Sequence, residues 1–178
     1  RVKDSRGDID TASVSITINS VEDNPVAVAD SVSVAEDGSV LINVIANDYD
    51  VETSVSLNSI GAASNGATVI ESGKIRYTPT ADYFGSDSFT YTIIDGASKT
   101  ATGTVSVTVN PVNDNPVIVA DTASTNEDVS VLIDVLANDN DIEAALTIDS
   151  LGAATNGVVA IESGKVRYTP SSNYFGAD

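Results

Sequence analysis

The chain has 178 residues and ordinary apolar content, but its charge is lopsided: 8 Lys and Arg stand against 26 Asp and Glu, a net charge of −18. That balance argues against nucleic acid and against anionic membrane surfaces, and favours cations as partners. The absence of Cys, His and Met removes disulfides, thiolate metal sites and imidazole catalysis; a cysteine-free, acidic chain of this kind fits an exported bacterial protein.

In chain order, the first strand signal is Val14, Ile16 and Ile18, which alternate with polar neighbours. An acidic, Pro-terminated stretch follows at Glu22-Asp23-Asn24-Pro25. A weak strand is expected around residues 26–34, then a turn at Glu36-Asp37-Gly38 and a second alternating set at Val40, Ile42 and Val44. After Asn47-Asp48 come weaker strands near 55–60 and 67–71, parted by Asn65-Gly66. Ser72-Gly73 turns the chain into Ile75 and Tyr77, with Lys74 and Arg76 on the wet face. Pro79 to Gly85 leads into Phe89, Tyr91 and Ile93, and Asp95-Gly96 leads into Val105, Val107 and Val109. A second punctuation, Pro111-Val112-Asn113-Asp114-Asn115-Pro116, closes the unit. No window carries a sustained helical period.

The pattern then starts again. Residues 25–87 align with 116–178 without a gap, and 37 of the 63 positions are identical. Residues 1–24 align at the same offset with 92–115, so the chain reads as the C-terminal strand segment of a preceding repeat (1–24), one complete repeat (25–115) and the first two-thirds of the next (116–178). About seven strands per unit, lettered A to G in order, predict an all-β fold of tandem seven-stranded immunoglobulin-like sandwiches with a 91-residue period. Both ends of the chain fall inside repeats, which suggests a window on a longer array.

Counting strands places the acids. The A–B, C–D and E–F loops lie where the chain leaves a sandwich, and the B–C and F–G loops where it arrives. Glu36, Asp37, Asp82 and Asp87 should therefore meet Asn113, Asp114 and Asn115 from one side, while Asp139, Asp141 and Glu143 meet them from the other. The upstream joint should gather Glu22, Asp23, Asn24, Asp48, Asp50, Glu52 and Asp95. Asp30 and Asp121, just after strand A begins, stand outside this set. Carboxylates 4 Å apart repel by about 1 kcal/mol in water-like surroundings and about 4 kcal/mol at an effective dielectric of 20. A hard divalent cation neutralises such a cluster, and calcium accepts six to eight oxygens in flexible geometry, roughly as carboxylates, Asn side chains and carbonyls supply them. Zinc would need His or Cys, and magnesium usually keeps several waters. Asp48-x-Asp50-x-Glu52 is not an EF-hand loop, lacking its Gly and its distant Glu.

The combination Asp114-Asn115-Pro116, Ala120-Asp121, Asn126-Glu127-Asp128, Val135-Leu136-Ala137-Asn138-Asp139, Tyr168-Thr169-Pro170 and Tyr174-Phe175-Gly176 resembles bacterial cadherin-like (VCBS-type) repeats. The resemblance covers nearly the whole chain. It implies a long extracellular surface adhesin, often of the RTX type and exported by type I secretion, although the RTX nonapeptide itself is absent. Asn113-Asp114-Asn115 is also similar to the linker motif of animal cadherins, where calcium stiffens successive domains. That analogy makes Glu36 the A-strand glutamate and Asp139/Asp141 the B–C pair; the E–F motif has no clean counterpart.

Three functions follow as expectations. The first is a calcium-rigidified spacer whose partners are neighbouring repeats of the same protein. The second is a self-assembling filament, a homopolymer in which residues 1–24 of one chain complete 116–178 of the next. The third is a polysaccharide- or receptor-binding module, with Tyr49 as the one plausible exposed aromatic; an adhesion target could also lie in other domains. Arg6-Gly7-Asp8 reads as turn chemistry. An enzyme is not expected, because the acids recur at the same places in both repeats, as structural ligands would.

Overall fold

The computed structural model describes Arg1–Asp178 and contains no α-helix. Alternating residues produce strands wherever a partner is available. The chain opens with β1 (Val2–Lys3) and β2 (Ile9–Asp10), a short antiparallel hairpin. Asp4 shapes its turn: its Oδ1 accepts from the backbone N–H of Arg6 (2.9 Å) and of Asp8 (2.8 Å). Residues 11–24 have no sheet partner. Val14, Ile16 and Ile18 are accordingly exposed, although their equivalents Val105, Val107 and Val109 are buried. Alternation makes a strand only where a neighbouring ladder takes up its backbone groups.

The next unit is a two-sheet sandwich. Its strands are β3 (Asp30–Ala35), β4 (Val40–Ile42), β5 (Ser56–Ile60), β6 (Gly66–Glu71), β7 (Lys74–Pro79), β8 (Gly85–Ile94) and β9 (Thr100–Asn110), corresponding to strands A to G. One sheet has the order β3-β9-β8-β5 and the other β4-β7-β6. All neighbours are antiparallel except β3 and β9, which run parallel from Asp30↔Val105 to Ala35↔Asn110. The alternation that suggested a strand over residues 40–44 stops early. Val44 is buried, but in a single 3₁₀ turn (Val44–Ala46) that swings the chain toward the acidic loop at Asp48.

The core sits between the sheets and comprises Val34, Ile42, Val44, Ile75, Tyr77, Phe89, Tyr91, Ile93, Val105, Val107 and Val109. Tyr77 of one sheet stacks on Phe89 of the other with ring centroids 6.0 Å apart. Two glycines make room for tyrosine rings. A Cβ at Gly66 would lie 2.6 Å from the Tyr77 ring, so this residue serves close packing as well as the turn that its sequence suggested. Gly103 faces Tyr91 across the β8–β9 ladder, where a Cβ would overlap the ring. Gly103→Ala is expected to destabilise the domain by about 2–3 kcal/mol, because the ring must leave its site. Chemical denaturation checks this, and loss of less than about 0.5 kcal/mol would show that the ring has room to move.

The second unit repeats half of this architecture: β10 (Val131–Ile133), β11 (Gly157–Glu162) and β12 (Lys165–Pro170) form a sheet in the order β10-β12-β11, matching β4-β7-β6. The turns recur too, with Ser72-Gly73 and Ser163-Gly164 all at positive φ. The segments equivalent to β3 and β5 form no strand, since the strands on which those elements hang in the first unit, β8 and β9, have almost no counterpart among the 178 residues. An open cleft of about 680 Å³ lies on the inner face of this sheet, lined by Val131, Ile133, Val166, Tyr168 and Phe175 among others.

Candidate functional site: the acidic joints

The B–C loops of the two units fold alike. Asp50 Oδ1 accepts from the N–H of Glu52 (3.0 Å) and Thr53 (2.7 Å), and Asp141 Oδ1 accepts from Glu143 (3.0 Å) and Ala144 (2.7 Å). Asp48 Oδ1 accepts from Val28 N–H at 2.7 Å, and Asp139 Oδ1 from Val119 N–H at 2.8 Å. Asp50 and Asp141 thus each spend one oxygen on shaping their own loop, and Asp48 and Asp139 each spend one on the segment that enters the unit. The linkers dock on these loops identically: Asp23 N–H donates to Glu52 Oε2 (3.4 Å), and Asp114 N–H donates to Glu143 Oε2 (3.3 Å).

From the other side, Glu36 reaches the downstream joint at the end of β3. It is 1% exposed, and its Oε1 accepts from Val112 N–H at 2.5 Å. One oxygen from each of Glu36, Asp114 and Glu143 lies within 4.8 Å of the others. These three come from the A–B corner of one unit, the linker and the B–C loop of the next. The Asp114 carboxyl is pushed above the ordinary carboxylate range, first by burial and then by the charges of Asp37, Glu143, Asp82 and Asp141. Asp37 and Asp82 are exposed at the rim of this cluster, as are Asn113 and Asn115; Asn113 Nδ2 donates to the Asp114 carbonyl at 2.8 Å.

The remaining oxygens carry the chemical information. Seven buried side-chain polar atoms have no hydrogen-bond partner: Asp30 Oδ2, Glu36 Oε2, Asp48 Oδ2, Asp50 Oδ2, Asp95 Oδ2, Asp114 Oδ2 and Glu143 Oε1. Every one is a carboxylate oxygen, and in Glu36, Asp48, Asp50, Asp95 and Glu143 the companion oxygen is held by a backbone N–H. A buried anionic oxygen without a donor is costly. A calcium-type cation fits this donor set: hard oxygens, no nitrogen or sulfur, several negative charges and ligands on separate segments.

At the upstream joint, Asp48, Asp50, Glu52 and Asp95 belong to the body of the sandwich, while Glu22, Asp23 and Asn24 are exposed on the linker. Asp50 is held below its usual range, chiefly by the Thr53 N–H. Asp95 is 7% exposed; its Oδ1 accepts from Ala97 and Lys99 N–H at 2.9 and 2.7 Å. Asp30, outside the expected set, lies within the field of Asp48. Its carboxyl is raised by burial, the Tyr91 hydroxyl opposes that shift, and the Asp48 charge adds to it. The Tyr91 hydroxyl also sits 3.0 Å from Asp48 Oδ1 and 2.8 Å from the Val28 carbonyl.

Asp87 departs from the expected grouping. It faces inward on β8 in step with Phe89, Tyr91 and Ile93, and both oxygens are taken. Oδ1 accepts from Ser64 N–H (3.2 Å) and Ser88 N–H (2.8 Å), while Oδ2 accepts from Asn65 N–H (2.9 Å) and the Tyr77 hydroxyl (2.8 Å). It pins the C–D loop rather than joining the Asp114 cluster. Asp178 repeats the arrangement with Thr155, Asn156 and Tyr168. The sequence signal for this role was the shared alternation of residues 87, 89, 91 and 93 and the recurrence of Tyr77/Asp87 as Tyr168/Asp178. Among aromatics, Tyr49 is 54% exposed as expected, and Phe84 joins it at 41%.

Comparison with known proteins agrees with the fold. The human Desmocollin-1 ectodomain superposes with a TM-score of 0.50 at 14% identity, over 90% of this chain and 33% of that one, a likeness of fold. The Protocadherin GammaB4 extracellular domain gives 0.48 at 16% identity, over 87% of this chain and 28% of that one. Among curated proteins, Protein GAMETE EXPRESSED 2 of Arabidopsis thaliana is 35% identical over 85 residues, 48% of this chain but 9% of that protein. The chain therefore spans about a tenth of that relative and a third of the desmocollin ectodomain. The bacterial Ig domain family model matches residues 22–108 and again 113–178. The all-β sandwich, the cadherin-like topology and these two matches fit an extracellular repeat module, and the chain belongs to the bacterial Ig domain family.

Proposed function

We propose that this chain is a spacer segment of a long extracellular adhesin of the RTX type, in which calcium at each joint locks successive sandwiches into a stiff rod. The observation that carries the reading is the set of unpartnered, buried carboxylate oxygens: all the orphaned side-chain atoms are anionic, and three of them, on Glu36, Asp114 and Glu143, belong to the one close-set acidic group. These three residues would hold the ion at the downstream joint, with Asp37, Asp82, Asn113, Asn115, Asp139 and Asp141 around them. Asp23, Asp48, Asp50, Glu52 and Asp95 would serve the upstream joint, with Glu22 and Asn24 on its linker. The cation would supply positive charge to these clustered carboxylates.

Extracellular calcium modules work at roughly 0.1–1 mM, so the rod would stiffen outside the cell and stay loose inside it. An ion present at a hundredfold excess over its dissociation constant adds about 2.7 kcal/mol to stability. Small-angle scattering of the chain in about 5 mM calcium, above that working range, is expected to show an extended, narrow distance distribution. Chelator should broaden and shorten it. Superposable profiles in the two conditions would end the reading.

A further inference from the structure

We propose that Lys99 is a built-in cation at the upstream joint and lowers that joint's demand for calcium, so that the residue at this position sets the calcium requirement of each joint. The inference rests on the calcium reading above.

Three other basic residues of the sandwiches are paired with acids, and Lys74 is exposed without an ion pair. Arg76 pairs with Glu71, Arg167 with Glu162 and Lys165 with Asp134. Lys99 differs. Its backbone is fixed in the Asp95 turn, donating to Asp95 Oδ1 at 2.7 Å and accepting from Asp95 N–H at 3.0 Å. From there its ammonium reaches the linker and donates to the Glu22 carbonyl. The turn and the B–C loop are tied together: Gly96 N–H donates to Thr53 Oγ1 at 3.0 Å, and Thr53 Oγ1 donates to Asp50 Oδ1 at 3.1 Å. The turn that carries Lys99 and the loop that carries Asp50 are thereby held side by side. Two buried, unpartnered oxygens belong to this region, on Asp50 and on Asp95, the latter residue 93% buried by its 7% exposure. The ammonium thus does part of what a metal ion would do: it holds a linker carbonyl against the acidic loops and supplies positive charge to them.

The same turn exists in a second copy. In the N-terminal hairpin, Asp4 takes the place of Asp95 and accepts from Arg6 and Asp8 N–H as Asp95 accepts from Ala97 and Lys99. The residue aligned with Lys99 there is Asp8. One turn geometry therefore carries a cation in one copy and an anion in another. A cation beside a calcium site competes with the ion, while an anion recruits it.

The test is a calcium titration of the whole chain followed residue by residue by amide NMR. Amides of Asp50–Thr53 and Asp95–Lys99 report the upstream joint, and Glu36, Asp37 and Asp114 the downstream one. Lys99→Ala should move the upstream midpoint to about tenfold lower calcium, and Lys99→Asp further, with the downstream midpoint unchanged. Lys99→Arg, which keeps the charge, should retain the wild-type midpoint. An upstream midpoint within twofold of wild type in both Lys99→Ala and Lys99→Asp, or equal shifts at both joints, would overturn the proposal while leaving the calcium reading standing. No response to calcium at either joint of the wild-type chain would overturn both.

Discussion

Replacing Asp87 by alanine is expected to cost the complete sandwich about 3–4 kcal/mol, more than any other single polar substitution in it. The carboxylate is buried and takes hydrogen bonds from the Tyr77 hydroxyl and from Ser64, Asn65 and Ser88 N–H. Alanine would leave those donors facing a void. For a domain of this size that loss corresponds to a fall in melting temperature of about 12–30 °C, and a fall of less than about 3 °C would show that water satisfies the donors. Acid should act in the same direction. Burial by itself would raise the Asp87 carboxyl, but the hydrogen bonds from Tyr77, Asn65, Ser88 and Ser64 outweigh it and hold the group below its usual value. A carboxylate lowered on folding contributes stability above its unfolded value, near pH 4, and that contribution disappears as pH falls through the folded value. Melting scans across about pH 2–6 should therefore show a steeper acid decline for the wild type than for Asp87→Asn, and parallel curves would contradict the assignment.

Glu36→Gln is expected to change sign with calcium. In chelator it should stabilise the chain by about 1–2 kcal/mol, because a charge leaves a repelling buried cluster while the amide oxygen still accepts from Val112 N–H. In saturating calcium the same change should weaken ion binding about 100-fold, a loss of about 2.7 kcal/mol, because one anionic ligand is gone. Paired denaturation curves with and without calcium measure both effects. A substitution that destabilised the chain equally in the two conditions would mark Glu36 as a packing residue alone.

Much of this architecture is written in the sequence. Val105, Val107 and Val109 alternate because one face of β9 meets the core, and the gapless alignment of 25–87 with 116–178 requires one sheet plan for both. The pairing itself was not legible: counting strands runs β3 and β9 in the same direction but is silent on whether they are neighbours. Val44 continued a strand-like alternation into a 3₁₀ turn, because burial every second residue is also compatible with a bend that keeps one apolar side chain inside. The acids divided along a similar line. Glu36, Asp114 and Glu143 could be brought together by counting strands, since that argument needs only the ends of the sandwich. Asp87 could not be separated from them by the same count: it lies near the same end, and only the Tyr77 hydroxyl and the C–D loop backbone distinguish an anchor from a ligand. Residues 11–24 show the converse, a clear strand pattern without a sheet partner.

The parallel pairing of β3 with β9 has a mechanical consequence. The chain arrives from the upstream joint through the start of β3 and leaves for the downstream joint from the end of β9. Tension applied across the unit would therefore pull these two neighbours in opposite directions along their common axis. The rungs from Asp30↔Val105 to Ala35↔Asn110, together with the bond from Glu36 N–H to the Asn110 carbonyl, are loaded in shear and share the force. An antiparallel pair pulled from one end would peel open one rung at a time. A sandwich loaded through such a pair resists stretching collectively, along the whole length of the two strands.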